Sequence, residues 1–253
     1  MSILDEIVAY KREEIKALAD VQNPPHCTGD FAQLFQNAPC LIAELKAASP
    51  SEGVIAENFE PEAQAAKYVA GGANAISVLT DEKYFGGSFE VLRRVRALTD
   101  LPLLCKEFII DEKQIRVARD CGADLVLLIV KILRDEELLR LKNAVEDLGM
   151  AALIEIQNEE ELERALKTSP DLLLINNRNL TSFDVDMGTT ENLLAGIPDH
   201  VKAIAASGIK APSDLENFSP RVDGFLIGTT LMRSEDPAAF LRNCRGTWKT
   251  HAA

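Results

Sequence analysis

The sequence of 253 residues contains no run of about 18 apolar residues, the least that spans a bilayer as a helix. Its first residues, MSILDEIVAYKREE, hold no secretory apolar stretch. A soluble protein without a membrane partner is expected. Positive charge is also short: 27 Lys and Arg stand against 40 Asp and Glu, a formal net charge of −13, with a pI near 4.8. Nucleic-acid affinity rests on cations that neutralise phosphates, so no nucleic-acid partner is expected. A small anionic ligand is not excluded, because a few donors at short range outweigh the global field. Cys27, Cys40, Cys105, Cys121 and Cys244 are odd in number and scattered, with no CxxC pair and no Cys/His ligand spacing. Neither a disulfide framework nor a zinc centre is indicated, which agrees with a reducing cytoplasm.

What the chain does have is alternation. The first twenty residues set Ile3, Leu4, Ile7, Val8, Ile15 and Leu18 at helical spacing among charged residues, an amphipathic helix. After the linker VQNPPHCTGD come eight strand-like runs, at 41–47, 75–80, 103–107, 124–130, 151–156, 171–176, 201–206 and 223–228. Between them lie segments of helical periodicity: PEAQAAKYVA, FEVLRRVRAL, DEKQIRVARD, DEELLRLKNAVEDLG, EEELERALK and DPAAFLRNC. A weak repeat, GGANAISVL, CGADLVLLI, SPDLLLI and RVDGFLI, puts a turn and an Asp or Asn before each even-numbered strand. Alternating strand and helix imply a parallel sheet, and eight units close most economically into a (β/α)8 TIM barrel of the α/β class. The rival, an open doubly wound sheet, lacks a G-x-G-x-x-G after its first strand. The expected organisation is one barrel domain over 1–253, with 1–40 as a helical N-terminal extension capping it.

In such a barrel the chemistry sits at the C-terminal strand ends. Charged or polar residues end four of the apolar runs or follow them: Glu44 and Lys46, Lys106 and Glu107, Glu155, and Asn176 with Arg178. Any one of them alone reads as an ion pair at the mouth or a side chain reaching solvent. Two lysines, carboxylates and an Asn/Arg pair converging from several strands point to a site, because charges are costly to bury unless paired or used. Glu44 and Lys46 are two apart and so face the same side. Ser207-Gly208 follows strand seven and Gly228-Thr229 strand eight. Either dipeptide alone reads equally as a helix N-cap; together, in the two loops where barrels hold phosphate, they favour a phosphate site. The loop 79–89 offers Tyr84 and Phe85, which either cover a ligand ring or pack on the barrel top.

These residues carry a resemblance. The segments IAELKAASPSEGVI, GGANAISVLTDEKYFGGS, CKEFIIDEKQI, LGMAALIEI, INNRNLTSFDVD, SGI and LIGTTLMRSEDP resemble the indole-3-glycerol phosphate synthases along nearly the whole chain. The resemblance implies a lyase of tryptophan biosynthesis that converts 1-(2-carboxyphenylamino)-1-deoxyribulose 5-phosphate to indole-3-glycerol phosphate, CO2 and water, without metal or organic cofactor. It implies Lys106 as general acid, Glu155 as catalytic carboxylate, Lys46 as second lysine, Glu44 and Asn176 as their polar partners, and Arg178 as carboxylate binder. Phosphate would fall to Ser49, Ser207, Gly208, Gly228 and Thr229, and the anthranilate ring to Phe85, Phe108, Leu127 and Leu180. A cytoplasmic monomer is expected, with a dimer or an association with other tryptophan-pathway enzymes as alternatives. Four positions depart from the family pattern: Ala206 for a glutamate before Ser-Gly-Ile, Ala47 and Glu52 for lysines after strand one, and Gln157 for histidine. Ala206 keeps open a catalytically weakened paralogue that binds the same ligand or a partner; a second rival is another phosphosugar barrel of the tryptophan pathway, which would not need two strand-end lysines beside two glutamates.

Overall fold

A computed structural model describes residues 2–25, 31–56 and 59–251. Eight parallel strands close into a barrel in which each pairs with its neighbours in sequence. They are β1 (Cys40–Leu45), β2 (Ala75–Leu79), β3 (Leu103–Lys106), β4 (Leu125–Ile129), β5 (Ala151–Ile156), β6 (Leu172–Asn176), β7 (Lys202–Ala206) and β8 (Gly224–Ile227). Closure is made by β1, which pairs Ile42 with Ala75 of β2 and Cys40 with Gly224 of β8. Each expected strand is present.

The period-2 pattern of every strand assigns its two faces. Ile42, Leu104, Leu125, Leu127, Leu153, Leu174, Ile204 and Leu226 fill the barrel, while Leu41, Ile76, Leu103, Val126, Ile154, Leu173 and Phe225 pack outward under the helices. The helices are α1 (Ile3–Ala17), α2 (Pro61–Ala70), α3 (Glu82–Phe85), α4 (Phe89–Arg96), α5 (Glu112–Asp120), α6 (Asp135–Asp147), α7 (Glu159–Leu166), α8 (Gly188–Leu194), α9 (Thr229–Arg233) and α10 (Pro237–His251). Their starts are chemically specified: Pro61 opens α2, Ser88 caps α4, Asn158 caps α7, and Asp111 with Gln114 forms a reciprocal capping box on α5. After β7 a 3-10 turn, Pro212–Asn217, stands where a full helix would complete the unit.

The repeat seen in sequence has a structural meaning at the N-terminal end of the strands. Asn74 Oδ1 accepts from the Leu41 amide (2.9 Å), Asp124 Oδ2 from the Leu103 amide (2.9 Å), and Asp223 Oδ2 from the Ala203 amide (2.9 Å). Each of these three residues thus closes the start of the odd strand that precedes its own. In the third copy the contact is to the strand that follows: the Asp171 main-chain carbonyl accepts from the Lys202 amide at the start of β7 (2.9 Å). Arginines back these groups, Arg96 and Arg119 at Asp124 and Arg245 of α10 at Asn74. Arg245 also bonds the carbonyls of Asn37, Pro39 and Gly72.

The N-terminal segment is split between the two ends. Helix α1 buries Leu4 and Ile7 with the interior cluster that contains Phe108 and Leu127. The turn Phe31–Phe35 lies at the base, where the Leu34 carbonyl accepts from Asn74 Nδ2 (3.0 Å). Cys40, Cys105, Cys121 and Cys244 are buried free thiols; Cys27 and part of the 1–40 extension lie outside the described residues. Among the described residues no helix is long and apolar enough to cross a membrane.

Candidate active site

Strand parity builds the site. Glu44, Lys46, Lys106, Glu155, Asn176, Ala206 and Gly228 all share the inward phase of their strands, one or two steps beyond the last apolar filler. They open into a cavity of about 880 Å³ at the C-terminal end of the barrel. Every residue expected in the site lines this one cavity: Glu44, Lys46, Ser49, Phe85, Lys106, Phe108, Leu127, Glu155, Asn176, Arg178, Leu180, Ser207, Gly208, Gly228 and Thr229.

Two lysine–carboxylate couples face each other there. Lys46 Nζ lies 3.0 Å from Glu44 Oε1. Lys106 Nζ lies 3.5 Å from Glu155 Oε2, and the side chain of Glu155 is 1 % exposed against 18 % for Lys106. Asn176 Nδ2 donates to Glu155 Oε1 (3.0 Å). The same amide accepts at Oδ1 from Ser207 Oγ (2.8 Å) and from the Arg178 amide (3.0 Å). A polar chain therefore runs from Lys106 through Glu155 and Asn176 to Ser207, across β3, β5, β6 and the loop after β7. Burial alone would raise the Glu44 carboxyl, but the nearby charges of Lys46 and Lys106 outweigh it and hold it below the ordinary carboxylate value.

The two glycine-bearing loops are shaped by this network. Ser207 (φ 68) and Gly208 (φ 94) both adopt the left-handed region, an uncommon conformation for serine that surrounding contacts must hold. Asn177, buried and directed away from the cavity, supplies them: its Nδ2 donates to the Ser207 carbonyl (3.2 Å) while its Oδ1 accepts from Thr190. Gly228 has a different reason to be glycine, since a Cβ there would collide with the Glu44 carboxylate. Thr230 Oγ1 donates to the Ile209 carbonyl (2.6 Å) and joins the loops after β7 and β8.

The aromatic alternative is decided by α3, a helix formed inside the loop read from sequence as irregular. Asp81 caps it, Phe85 lines the cavity with its ring 5.9 Å from that of Phe108, and Tyr84 turns to α1, where its hydroxyl donates to Glu6 Oε1 (3.0 Å). Glu107, grouped in sequence with the mouth residues, has its carboxylate buried beneath them. It accepts from Lys11 Nζ (3.0 Å), Thr80 Oγ1 (3.0 Å) and the Phe108 amide (2.8 Å). Burial holds its pKa above the ordinary value despite Lys11.

The departures have partners. Glu52 Oε2 lies 3.0 Å from Arg233 Nη2 across the mouth, so the reversed charge meets a cation. The Ala47 carbonyl accepts from the Ile55 and Ala56 amides and closes the loop after β1. Gln157 Nε2 donates to the Arg178 carbonyl (2.6 Å), and its Oε1 accepts from the Leu180 amide (3.3 Å). Ala206 is buried beside Asn176 in the ladder and brings no polar group. Lys210, Arg233, Phe183 and Met187 also line the cavity. They sit in loops and on α9, where no apolar strand precedes them to mark them in sequence.

Comparison with known proteins agrees in the region matched. The model of the family indole-3-glycerol phosphate synthase matches residues 4–244. An indole-3-glycerol phosphate synthase of Rippkaea orientalis is 45% identical over 263 residues, covering 96% of this chain and 90% of the relative. That of Chloroherpeton thalassium is 43% identical over 255 residues, covering 95% and 98%. Among solved structures, KGPDC from Streptococcus mutans superposes with a TM-score of 0.63 at 14% identity, covering 85% of this chain and 99% of that one. The 3-hexulose-6-phosphate synthase from Salmonella typhimurium gives 0.64 at 14% identity, covering 83% and 99%. At that identity the likeness is one of fold.

Proposed function

The chain belongs to the indole-3-glycerol phosphate synthase family, and from that premise we propose how its residues carry the reaction. The protein is a carboxy-lyase of tryptophan biosynthesis. It converts 1-(2-carboxyphenylamino)-1-deoxyribulose 5-phosphate to indole-3-glycerol phosphate with loss of CO2 and water. The aromatic carbon bearing the carboxylate attacks the ribulose carbonyl, and Lys106 donates a proton to the carbonyl oxygen as charge develops on it. CO2 then leaves. The new hydroxyl departs as water with a proton from Lys46, and Glu155 takes the proton whose loss completes the indole. Glu44 holds Lys46 in place, and Asn176 orients Glu155. Arg178 meets the substrate carboxylate, while Phe85, Phe108, Leu127 and Leu180 shield the ring from water.

Ser49, Ser207, Gly208, Gly228 and Thr229 hold the phosphate through hydroxyls and main-chain amides, the means by which loops after strands seven and eight bind phosphate in other barrels. The observation that carries the reading is the pair of lysine–carboxylate couples, Lys106–Glu155 and Lys46–Glu44, bordering one cavity. One couple alone would serve an isomerisation; ring closure followed by dehydration uses acid and base at two places. We further propose that the chain acts as one domain and a monomer in the cytoplasm, with residues 1–40 as its extension.

The test is direct. Purified protein incubated with the carboxyphenylamino substrate should generate indole fluorescence. No product above a Lys106→Ala control would leave only a ligand-binding paralogue.

A further inference from the structure

Among the described residues, charge is also fully buried outside the catalytic groups, at Lys11 of α1. Its side chain is 0 % exposed, and Nζ lies 2.8 Å from Asp81 Oδ2, 3.0 Å from Glu107 Oε1 and 3.0 Å from Glu14 Oε2. The side chains of Asp81 and Glu107 are themselves fully buried. Lysine is rarely placed so unless carboxylates meet it, and Leu4 and Ile7 already bury the apolar face of α1.

The two carboxylates have second attachments. Asp81 Oδ1 accepts from the amides of Tyr84 (2.7 Å) and Phe85 (3.1 Å), so one oxygen holds α3 while the other meets Lys11 as an ion pair. Glu107 Oε1 is shared between Lys11 and the amide of Phe108, and Glu107 is the residue next to Lys106. We propose that Lys11 is a positioning residue for the reaction: through Asp81 and Glu107 it fixes the Phe85–Phe108 wall and the stretch of backbone that carries Lys106. The N-terminal helix is then part of the alignment of the site as well as its cover. The inference rests on the role given to Lys106 above.

Three variants test it. Lys11→Met keeps the stem and removes the charge. Lys11→Met/Glu107→Gln also removes one of the carboxylates left unpaired, which protects the fold. Asp81→Asn keeps the cap on α3 and weakens only the ion pair. Each is assayed at a temperature where circular dichroism reports the native fold. In the two Lys11 variants kcat should fall about ten- to hundredfold, the cost of displacing a catalytic group by up to about an ångström, with KM raised no more than about threefold; in Asp81→Asn kcat should fall about threefold or more. A purely stabilising lysine would lower Tm and leave kcat alone, so kcat at the wild-type value in whichever variants fold overturns the proposal. Lys106→Ala keeps the two readings apart. If that variant stays active, the role of Lys106 fails; if it is inactive and the Lys11 variants are unimpaired, only the present inference fails.

Discussion

The two ends of the barrel use the same residue types to opposite effect. At the base, Asn74, Asp124 and Asp223 accept main-chain amides and are held by Arg245, by Arg96 and Arg119, and by Lys202 respectively. At the mouth, Glu44, Glu155 and Asn176 are held by lysines and one another around an open volume. A carboxylate bonded to backbone amides stabilises the strand start and offers nothing to a ligand. One whose partners are mobile lysine ammonium groups can exchange them for substrate. The difference lies in the partner, and it separates stability from activity along one barrel axis.

Four substitutions probe that separation. The largest effect is expected from Lys106→Ala, which should lower kcat by about 1000-fold, within the range for loss of a general acid, with Tm unchanged or raised; steady-state kinetics and calorimetry check it, and a large loss of Tm would break the contrast. Asp124→Ala is its mirror image. It strands the Leu103 amide and two arginines and should cost about 2–3 kcal/mol of stability, read from urea unfolding, while kcat at 25 °C stays within about twofold.

Glu44→Gln should show a smaller effect with a defined pH signature. The folded-state pKa of Glu44 is depressed, so its ionised form stabilises the fold above the ordinary glutamate value of about 4.3, and that contribution is lost as pH falls through the lowered value. Wild type should exceed the variant by about 1 kcal/mol at pH 7, the net worth of one hydrogen bond, and the two should converge once the pH has fallen below the lowered value; a gap that persists in strong acid would contradict the assignment. The smallest change is expected from Ala206→Glu. The neighbouring Asn176 is already bonded to Glu155, Ser207 and the Arg178 amide, so kcat/KM should stay within about threefold, roughly 0.7 kcal/mol in barrier height. A tenfold rise would show instead that the missing carboxylate limits the enzyme.

The sequence made the eight strands legible because each is a short apolar run with turn residues before it, and period-2 alternation then assigned Glu44, Lys46, Lys106, Glu155 and Asn176 to the inner face. Three of the helices were not legible. Helix α8 begins Gly-Thr-Thr and its sequence is a poor helix former, so tertiary contacts such as Asn177 to Thr190 must hold it. Helix α3 is four residues long and exists because Asp81 caps it, and α9 has only five residues. Within the site, the left-handed Ser207 and the supporting role of Asn177 had no signal in one dimension. Glu107 misled because it was grouped with Lys106 as a strand-end charge, although it stands in the outward phase of Leu103 and Cys105, where a buried lysine of another element meets it.

The contacts of Arg245 set an order in time. A chain emerging from synthesis completes β8 before α10, so all eight strands exist while the carbonyls of Asn37, Pro39 and Gly72 still lack the guanidinium that gathers them. Those carbonyls flank β1 and precede β2, the strands that meet the last-made strand when the ring closes. Helix α10 is thus the clasp of the seam between the first and last strands of the barrel.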